Sequence, residues 1–178
     1  VAVIATGPSL TQEQVEQARH LPVVAVNDAW RVAPWAEVRY AADAGWWHAN
    51  PQAANFDGLK ICAQQNAPAG VETIRVSGIR GFDPDPHFVR SGGNSGYQAI
   101  HVAIHAGVTR ILLLGFDMRG THFFGAHQPP LRNTPDATFR RWIGRFDALR
   151  GRGAEIINCT PGSALTAFPC MDLEAALR

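Results

Sequence analysis

Residues 91–117 constrain the fold of this chain more than any other stretch. The stretch begins with small residues and glycines, continues with apolar residues at three- and four-residue spacing, and ends in an aliphatic run at 111–114. The helical spacing predicts a helix with one buried face that stops at Gly107. An aliphatic run without polar alternation is typical of a strand covered on both faces, as in a parallel sheet. Turn, helix and strand in this order predict half of a doubly wound unit.

The composition is that of one α/β domain. The 178 residues are 46% hydrophobic and 17% charged, which is enough apolar surface for a single core. The net charge of +1 provides no polybasic field for nucleic acid or an anionic membrane. No apolar run is long enough to span a bilayer. We therefore expect a single cytoplasmic domain over residues 1–178. Its fold should be doubly wound, a mostly parallel sheet with helices on both faces.

The cysteines and histidines show no metal-ligand spacing. Three cysteines, an odd number, predict buried thiols in a reducing compartment. His101 and His105 lie four residues apart, but no third ligand is spaced to join them, so a helix face is expected rather than zinc. No metal site is predicted, and no stretch specifies an oligomeric state.

Three further strand candidates end in polar or turn residues. The strands and their ends are residues 1–5 with Gly7-Pro8-Ser9, residues 21–26 with Asn27-Asp28, and residues 37–42 with Asp43. Because parallel strands finish at one edge of a sheet, several polar ends together predict a binding crevice. A single end is ambiguous, and Asn27-Asp28 is equally suited to contact a ligand or to cap a turn.

Other segments complete the alternation of helix and strand. Thr11 with Gln14 resembles a capping box for a first helix. After Asp43 a polar, irregular stretch is expected. Further strands are predicted at 59–62, 71–76 and 154–157, and further helices at 136–149 and 171–177. Residues 118–135 show no period, and a loop of that length beyond a central strand predicts a lid or acceptor-binding segment.

Two turns resemble anion cradles. Residues 91–97 place small residues before a helix, where unpaired N–H groups and the helix dipole favour a phosphate. Gly7-Pro8-Ser9 also precedes a helix, although such a tripeptide equally forms an ordinary turn, which the pattern alone favours.

Several short motifs resemble those of a known superfamily. They are Gly7-Pro8-Ser9-Leu10, Asn27, Ser95-Gly96, Gly115-Phe116-Asp117, a histidine-containing loop and Thr160-Pro161-Gly162-Ser163. Their order and spacing are similar to those of the sialyltransferases of glycosyltransferase family 42. They are also similar to the wider group with archaeal-type 6-hydroxymethylpterin diphosphokinases and flagellin-associated glycosyltransferases. The resemblance implies a Rossmann-like fold that binds a nucleotide-activated donor without an Asp-x-Asp metal motif, hence no required cofactor. It places Thr160 to Ser163 facing the base.

The same resemblance assigns roles around the donor. Gly7-Pro8-Ser9 is expected to approach the donor phosphate or ribose through backbone groups, and Asn27 to hydrogen-bond the nucleotide. Ser95-Gly96 would lie against the donor, while Gly115 and Asp117 would line the crevice floor. A donor of this kind requires a nucleotide or nucleotide-sugar partner and a small-molecule or glycan acceptor.

The loop histidines are the candidate bases. In the sialyltransferases a loop histidine deprotonates the acceptor hydroxyl, and His127 matches that position better than His122. Histidine suits this role because its ordinary pKa lies near neutrality. The family's two tyrosines that hold the departing phosphate have no counterpart here, so Arg119, His122 or Arg132 is expected to supply those donors.

Three classes of function follow. The leading one is a sialyltransferase-like glycosyltransferase that moves a sugar from a nucleotide-activated donor to a hydroxyl. The alternative is an ATP-dependent, diphosphokinase-like enzyme in which Mg²⁺ bridges the phosphates, with Asp43 or Asp117 as candidate ligands. The third is a non-catalytic nucleotide-binding module whose loop histidines perform no chemistry.

Overall fold

The computed structural model describes residues 1–178 and contains nine strands and six α-helices. The strands are β1 (Ala2–Ile4), β2 (Val23–Val26), β3 (Val38–Tyr40), β4 (Leu59–Cys62), β5 (Glu72–Thr73), β6 (Arg75–Gly78), β7 (Phe88–Arg90), β8 (Arg110–Leu114) and β9 (Glu155–Asn158). The helices are α1 (Gln12–Gln17), α2 (Ala44–Ala49), α3 (Pro51–Ala54), α4 (Ser95–His105), α5 (Asp136–Ile143) and α6 (Leu173–Ala176). Two 3-10 helices cover Asn27–Arg31 and Phe146–Leu149.

Seven strands form one parallel sheet in the order β5-β4-β3-β2-β1-β8-β9. Every residue of β1 and β2 is buried, as are residues 111–114 of β8. This burial explains the aliphatic runs, because a strand covered on both faces has no solvent-facing positions for polar side chains. The predicted parallel, doubly wound α/β fold is confirmed.

Alternate residues of the central strands supply two cores. Val3 and Leu113 belong to the apolar cluster that includes Ile100 of α4. Ile4 and Leu114 belong to the opposite cluster, which includes residues of α1 and α6. Successive side chains of a strand point to opposite faces, so the sheet carries helices on both sides, as the sequence predicted.

The strand order reverses between β1 and β8. From β1 the chain moves outward through β2, β3, β4 and β5, and it then returns to place β8 on the other side of β1. Ile4 is level with both Ala25 of β2 and Leu114 of β8. In open α/β sheets, such a reversal leaves a crevice beyond the carboxyl ends of the two strands.

The predicted helix boundaries hold where capping residues define them. The Thr11–Gln14 capping box is present at the start of α1. The side chain of Asn94 caps α4 by accepting the N–H of Tyr97 at 3.0 Å. Gly107 follows α4 with a φ of 77°, a conformation that glycine adopts readily and that ends the helix.

The segment after Asp43, which was predicted to be irregular, forms α2 and α3. The helix α2 buries Trp46 and Trp47, and α3 starts with Pro51 at its first turn, where a missing N–H does no harm. Each helix spans fewer than two turns, so the usual periodicity window cannot register it.

Two other predicted elements divide. Residues 71–76 form the edge strand β5 and then β6, which pairs with β7 in a separate parallel pair that the sequence did not predict. The helix predicted for residues 136–149 ends at Gly144, and a 3-10 helix continues with Phe146 and Leu149 fully buried. Glycine favours such a break because it has no side chain to hold the helix together.

The cysteines are all free thiols. Cys62 and Cys159 are buried, as predicted, but Cys170 is exposed. Cys170 pairs with Asn158, the last residue of β9, in the segment that precedes α6. None of the helices is both long enough and apolar enough to cross a lipid bilayer.

Candidate active site

A cavity of about 660 Å³ opens at the carboxyl edge of the sheet, over the point where the strand order reverses. Residues that follow β1, β2, β3, β4 and β8 form its floor, and the amino end of α4 forms one wall. The loop 118–135 and α5 cover it. Its size lies in the range of roughly 300–1,000 Å³ that is typical of small-molecule sites.

The cavity brings together many of the residues that the sequence singled out. Both predicted histidines, His122 and His127, line it. The other predicted residues that line it are Gly7, Asn27, Asp43, Ser95, Gly96 and Gly115. Those that do not line it are Pro8, Ser9, Asp117 and the segment Thr160-Pro161-Gly162-Ser163.

The amino end of α4 presents two free backbone donors. Ser95 and Gly96 are the first helical residues, and their N–H groups have no acceptor within the protein. The hydroxyl of Ser95 is occupied, since it accepts the N–H of Ala42 at 3.3 Å. Both residues line the cavity, so this end of the helix offers N–H groups and a favourable dipole to an anion.

The space at Gly96 is limited by the protein itself. A Cβ added to Gly96 would lie 2.7 Å from the ring of Phe116, below ordinary van der Waals contact. Glycine is therefore required here for the close approach of α4 to the end of β8, independently of any ligand.

The Gly7-Pro8-Ser9 turn has no free N–H group to offer. The N–H of Gly7 donates to the carbonyl of Gly115 at 2.8 Å, and that of Ser9 donates to Oδ1 of Asp117 at 3.2 Å. Proline has no N–H group. Residues that follow β8 occupy both donors, so the tripeptide forms the ordinary turn that the pattern favoured and not an anion cradle with free backbone donors.

The side chain of Asp117 packs against the Gly7-Pro8-Ser9 turn. Its side chain is buried, and its Oδ2 atom has no hydrogen-bond partner. A Cβ added to Gly7 would lie 1.9 Å from this Oδ2 atom and 2.5 Å from the carbonyl oxygen of Gly115. Burial raises the pKa of Asp117, and its hydrogen bonds with Ser9 partly oppose the rise. Asp117 therefore holds the turn in place and does not face the cavity.

Replacing Asp117 with asparagine is expected to flatten the dependence of stability on pH. Because the folded-state pKa is raised, the contribution of this carboxyl is complete below its ordinary value of 3.8 and is lost as the pH rises through the raised pKa. Asparagine stays neutral and keeps an acceptor for Ser9. Melting temperatures between about pH 4 and pH 7 test this, with Asp43→Asn as the exposed control. Parallel curves for wild type and Asp117→Asn would contradict it.

The segment 160–163, which was expected to face the base, supports the end of β8 and does not line the cavity. The hydroxyl of Thr160 accepts the N–H of Phe116 at 2.9 Å, and the hydroxyl of Ser163 donates to the Phe116 carbonyl. The N–H of Ala164 donates to the carbonyl of Asp117. These bonds satisfy backbone groups that leave the sheet at the strand end, which explains the hydroxyl residues without a ligand.

The two loop histidines form a pair over the floor. Their ring centroids are 4.3 Å apart, and the His122 ring stacks on Phe124. Nδ1 of His122 lies 2.8 Å from the hydroxyl of Thr6, whereas the ring nitrogens of His127 have no partner in the protein. Burial lowers the pKa of both rings, and the neighbouring His127 lowers that of His122 further. At neutral pH each ring is therefore available as an uncharged base.

Asp28 influences this pair through its charge. The sequence alone left the role of Asp28 open. Its buried carboxylate accepts the indole N–H of Trp46 at 2.9 Å and pairs with Arg31 at 2.8 Å. The Arg31 guanidinium lies 5.6 Å from the Phe124 ring, on which His122 stacks. The negative charge of Asp28 raises the pKa of both histidines and so opposes the effect of burial. Asp28 thus acts on the histidine pair through its charge, while Asn27 lines the cavity.

Two residues on the cavity wall adopt an unusual backbone conformation. Asn27 and Met118 have φ angles of 49° and 54°, and they are the only residues other than glycine with positive φ. Both line the cavity. Such conformations cost about 1–3 kcal/mol each and are found most often at functional sites, where surrounding structure maintains them.

Positive charge dominates the cavity. The guanidinium groups of Arg119 and Arg132 line it from the loop side, whereas Asp43 is its single carboxylate. This excess of positive charge, together with the free N–H groups of α4, favours an anionic ligand.

Among known proteins, a solved structure shares the fold of this chain. No protein-family model and no curated protein matches this chain. A solved structure of a MAf glycosyltransferase from Magnetospirillum magneticum AMB-1 is similar, with a TM-score of 0.66 and 14% sequence identity. The match covers 98% of this chain and 34% of that one, so this chain spans about a third of its length. The likeness shows a shared fold, in agreement with the Rossmann-like fold that the motifs implied.

Proposed function

We propose that the cavity binds a nucleotide-activated sugar and that the chain transfers the sugar to a hydroxyl acceptor. One observation carries the proposal. Two free N–H groups at the start of α4 line the same cavity as a pair of histidines whose pKa is lowered by burial. The first feature suits a phosphate and the second suits removal of a proton from a hydroxyl.

The reaction can be written with these groups. The acceptor oxygen attacks the anomeric carbon of the sugar while His127 takes the hydroxyl proton. The bond between that carbon and the phosphate oxygen breaks, and the nucleotide leaves with the electron pair. The N–H groups of Ser95 and Gly96, with Arg119 and Arg132, are placed to stabilise the negative charge on the departing phosphate. The loop 118–135, which carries both histidines, then acts as the lid over the acceptor.

The similar solved structure supports this class of reaction. That protein is described as a glycosyltransferase, and nearly all of this chain shares its fold. The assignment of the general base rests on the residues of this chain.

The metal-dependent alternative has weaker support. Transfer of pyrophosphate from ATP needs Mg²⁺ held by carboxylates and phosphates. Of the two candidate ligands, Asp43 lines the cavity and Asp117 lies beneath the Gly7 turn, so they do not face a common point in it. The residues present therefore fit metal-independent transfer better. Mg²⁺ would have Asp43 alone as a carboxylate ligand.

Nucleotide release from a panel of nucleotide-activated sugars, measured with EDTA and with Mg²⁺, tests the proposal. Release in EDTA is expected for at least one donor. Turnover that needs ATP and Mg²⁺ would establish the diphosphokinase-like alternative. Nucleotide binding without turnover would establish the binding module, and the absence of any nucleotide binding would refute all three.

Replacing Ser95 with proline is expected to weaken nucleotide binding by roughly 10- to 100-fold, because it removes one charge-assisted hydrogen bond. Proline is tolerated at the first helical position, and Asn94 already has the extended backbone that a following proline requires. Isothermal titration measures the affinity, and the matched control Ser95→Ala removes only the hydroxyl. Equal affinity for the proline and alanine variants would show that the Ser95 N–H does not bind phosphate.

A further inference from the structure

The α5 side of the cavity carries two aromatic rings that no step above uses. Phe139 and Trp142 both line the cavity, with ring centroids 5.7 Å apart and ring planes at 89°. Both are half-buried, and α5 has no fully buried residue. The indole N–H of Trp142 donates to no atom of the protein. A large aromatic surface with a free donor, open to a cavity, is suited to a planar ligand.

The rings lie close to the free N–H groups of α4. The indole Nε1 of Trp142 is 2.6 Å from the position that a Cβ on Gly93 would occupy. Gly93 precedes Ser95 by two residues, so their backbones are at most about 7 Å apart. One ribose bridges a separation of this order. A ring stacked on Trp142 can therefore belong to the same molecule as a phosphate at Ser95 and Gly96.

The cavity lining also includes an exposed aliphatic side chain. Val76 of β6 also lines the cavity and is one of the few large hydrophobic residues that are exposed, with 41% of its surface accessible. Val76, Phe139 and Trp142 thus add apolar side chains to a cavity that polar side chains also line. A ligand with one flat apolar face and polar edges matches this combination.

We propose that Phe139 and Trp142 form the subsite for the nucleobase of the donor, with the indole N–H of Trp142 donating to a carbonyl oxygen or ring nitrogen at its edge. The proposal rests on the proposed function, since it concerns the nucleotide of the same donor. It places base, ribose and phosphate in order from α5 to the start of α4. The transferred sugar then lies toward Thr6 and the histidine pair, where the acceptor hydroxyl has to be activated.

Base stacking on an aromatic side chain predicts a measurable loss on truncation. Trp142→Ala is expected to weaken binding of a nucleoside 5′-diphosphate by roughly 5- to 150-fold. Binding of ribose 5-phosphate, which lacks the base, is expected to stay unchanged. Trp142→Phe keeps a stacking ring without the N–H group, so its affinity should fall between those of wild type and Trp142→Ala. Trp35→Phe is the matched control, because Trp35 packs under Arg19 and does not line the cavity.

Calorimetric titrations of the four proteins with adenosine, cytidine, guanosine and uridine diphosphates and with ribose 5-phosphate distinguish the outcomes. If Trp142→Ala binds the nucleotide as tightly as wild type does, the rings are not the nucleobase subsite. The proposed function is not affected by that result. Equal losses for nucleotide and ribose 5-phosphate show a structural role and also overturn the subsite. If wild type binds no nucleotide, the proposed function fails with it.

Discussion

Replacing His127 with alanine is expected to lower the rate of sugar transfer by about 10²- to 10⁴-fold, the usual effect of removing a general base. Donor affinity should be nearly unchanged, because the proposed phosphate site is at α4 and the ring nitrogens of His127 contact no protein group. The wild-type rate should rise with pH as His127 loses its proton. It should level off above a pKa that burial holds below the ordinary 6.5. Initial rates and donor titrations, measured separately, test both parts.

His122 provides the matched comparison. Its Nδ1 atom lies against Thr6, so His122→Ala is expected to reduce the rate less, mainly by loosening the ring pair. If His122→Ala loses activity and His127→Ala keeps it, the base is His122. If both variants remain fully active, the loop performs no acid–base chemistry and the binding module or a substrate-assisted transfer explains the site.

Replacing Gly7 with alanine is expected to destabilise the protein by about 3 kcal/mol, near the upper end of the usual range for an overpacked site. The added Cβ would meet the Asp117 carboxylate at 1.9 Å and the backbone oxygen of Gly115 at 2.5 Å. The backbone oxygen cannot swing away as the end of a flexible side chain can. Denaturant unfolding of the purified variant, followed by circular dichroism, measures the loss.

Gly45→Ala is the matched control for this substitution. A Cβ on Gly45 meets nothing within 4 Å, and the residue lies inside α2, so alanine should stabilise by about 0.5–1 kcal/mol. In Gly7→Ala/Asp117→Ala the side-chain clash is gone but the clash with Gly115 remains, so only part of the loss should be recovered. A Gly7→Ala variant as stable as wild type would show that the turn moves freely away from β8.

The sheet was predictable because most of its central strands are short apolar runs bounded by turn residues, although Arg39 interrupts the run of β3. β1, β2, β3 and β8 were all placed within one or two residues on this pattern. The short helices α2 and α3 and the pair β6–β7 were not predicted. Elements of two to six residues carry too few positions to show a period, and tertiary packing decides their conformation.

The site was predictable in location but less so in its contacts. Polar strand ends located the cavity, and the small residues before α4 located its free N–H groups. Sequence could not show that Asp117 lies beneath the Gly7 turn or that Thr160 bonds to the end of β8. These contacts join segments that are far apart in the chain. The same hydroxyl and carboxylate groups serve a ligand or the backbone equally well. Asp28 was ambiguous for that reason.

The position of β1 has a consequence for how the chain folds. β1 precedes the other strands in sequence and lies inside the sheet, yet its neighbour β8 follows more than a hundred residues later, with Ala2 level with Leu112. Until then, one edge of an apolar strand has no hydrogen-bonding partner, and such edges attract other chains. Pairing over this sequence distance is also slow, because a long loop must close before it gains any contact. The cavity lies on this seam, so the capacity to bind a ligand should emerge only after β8 has paired with β1.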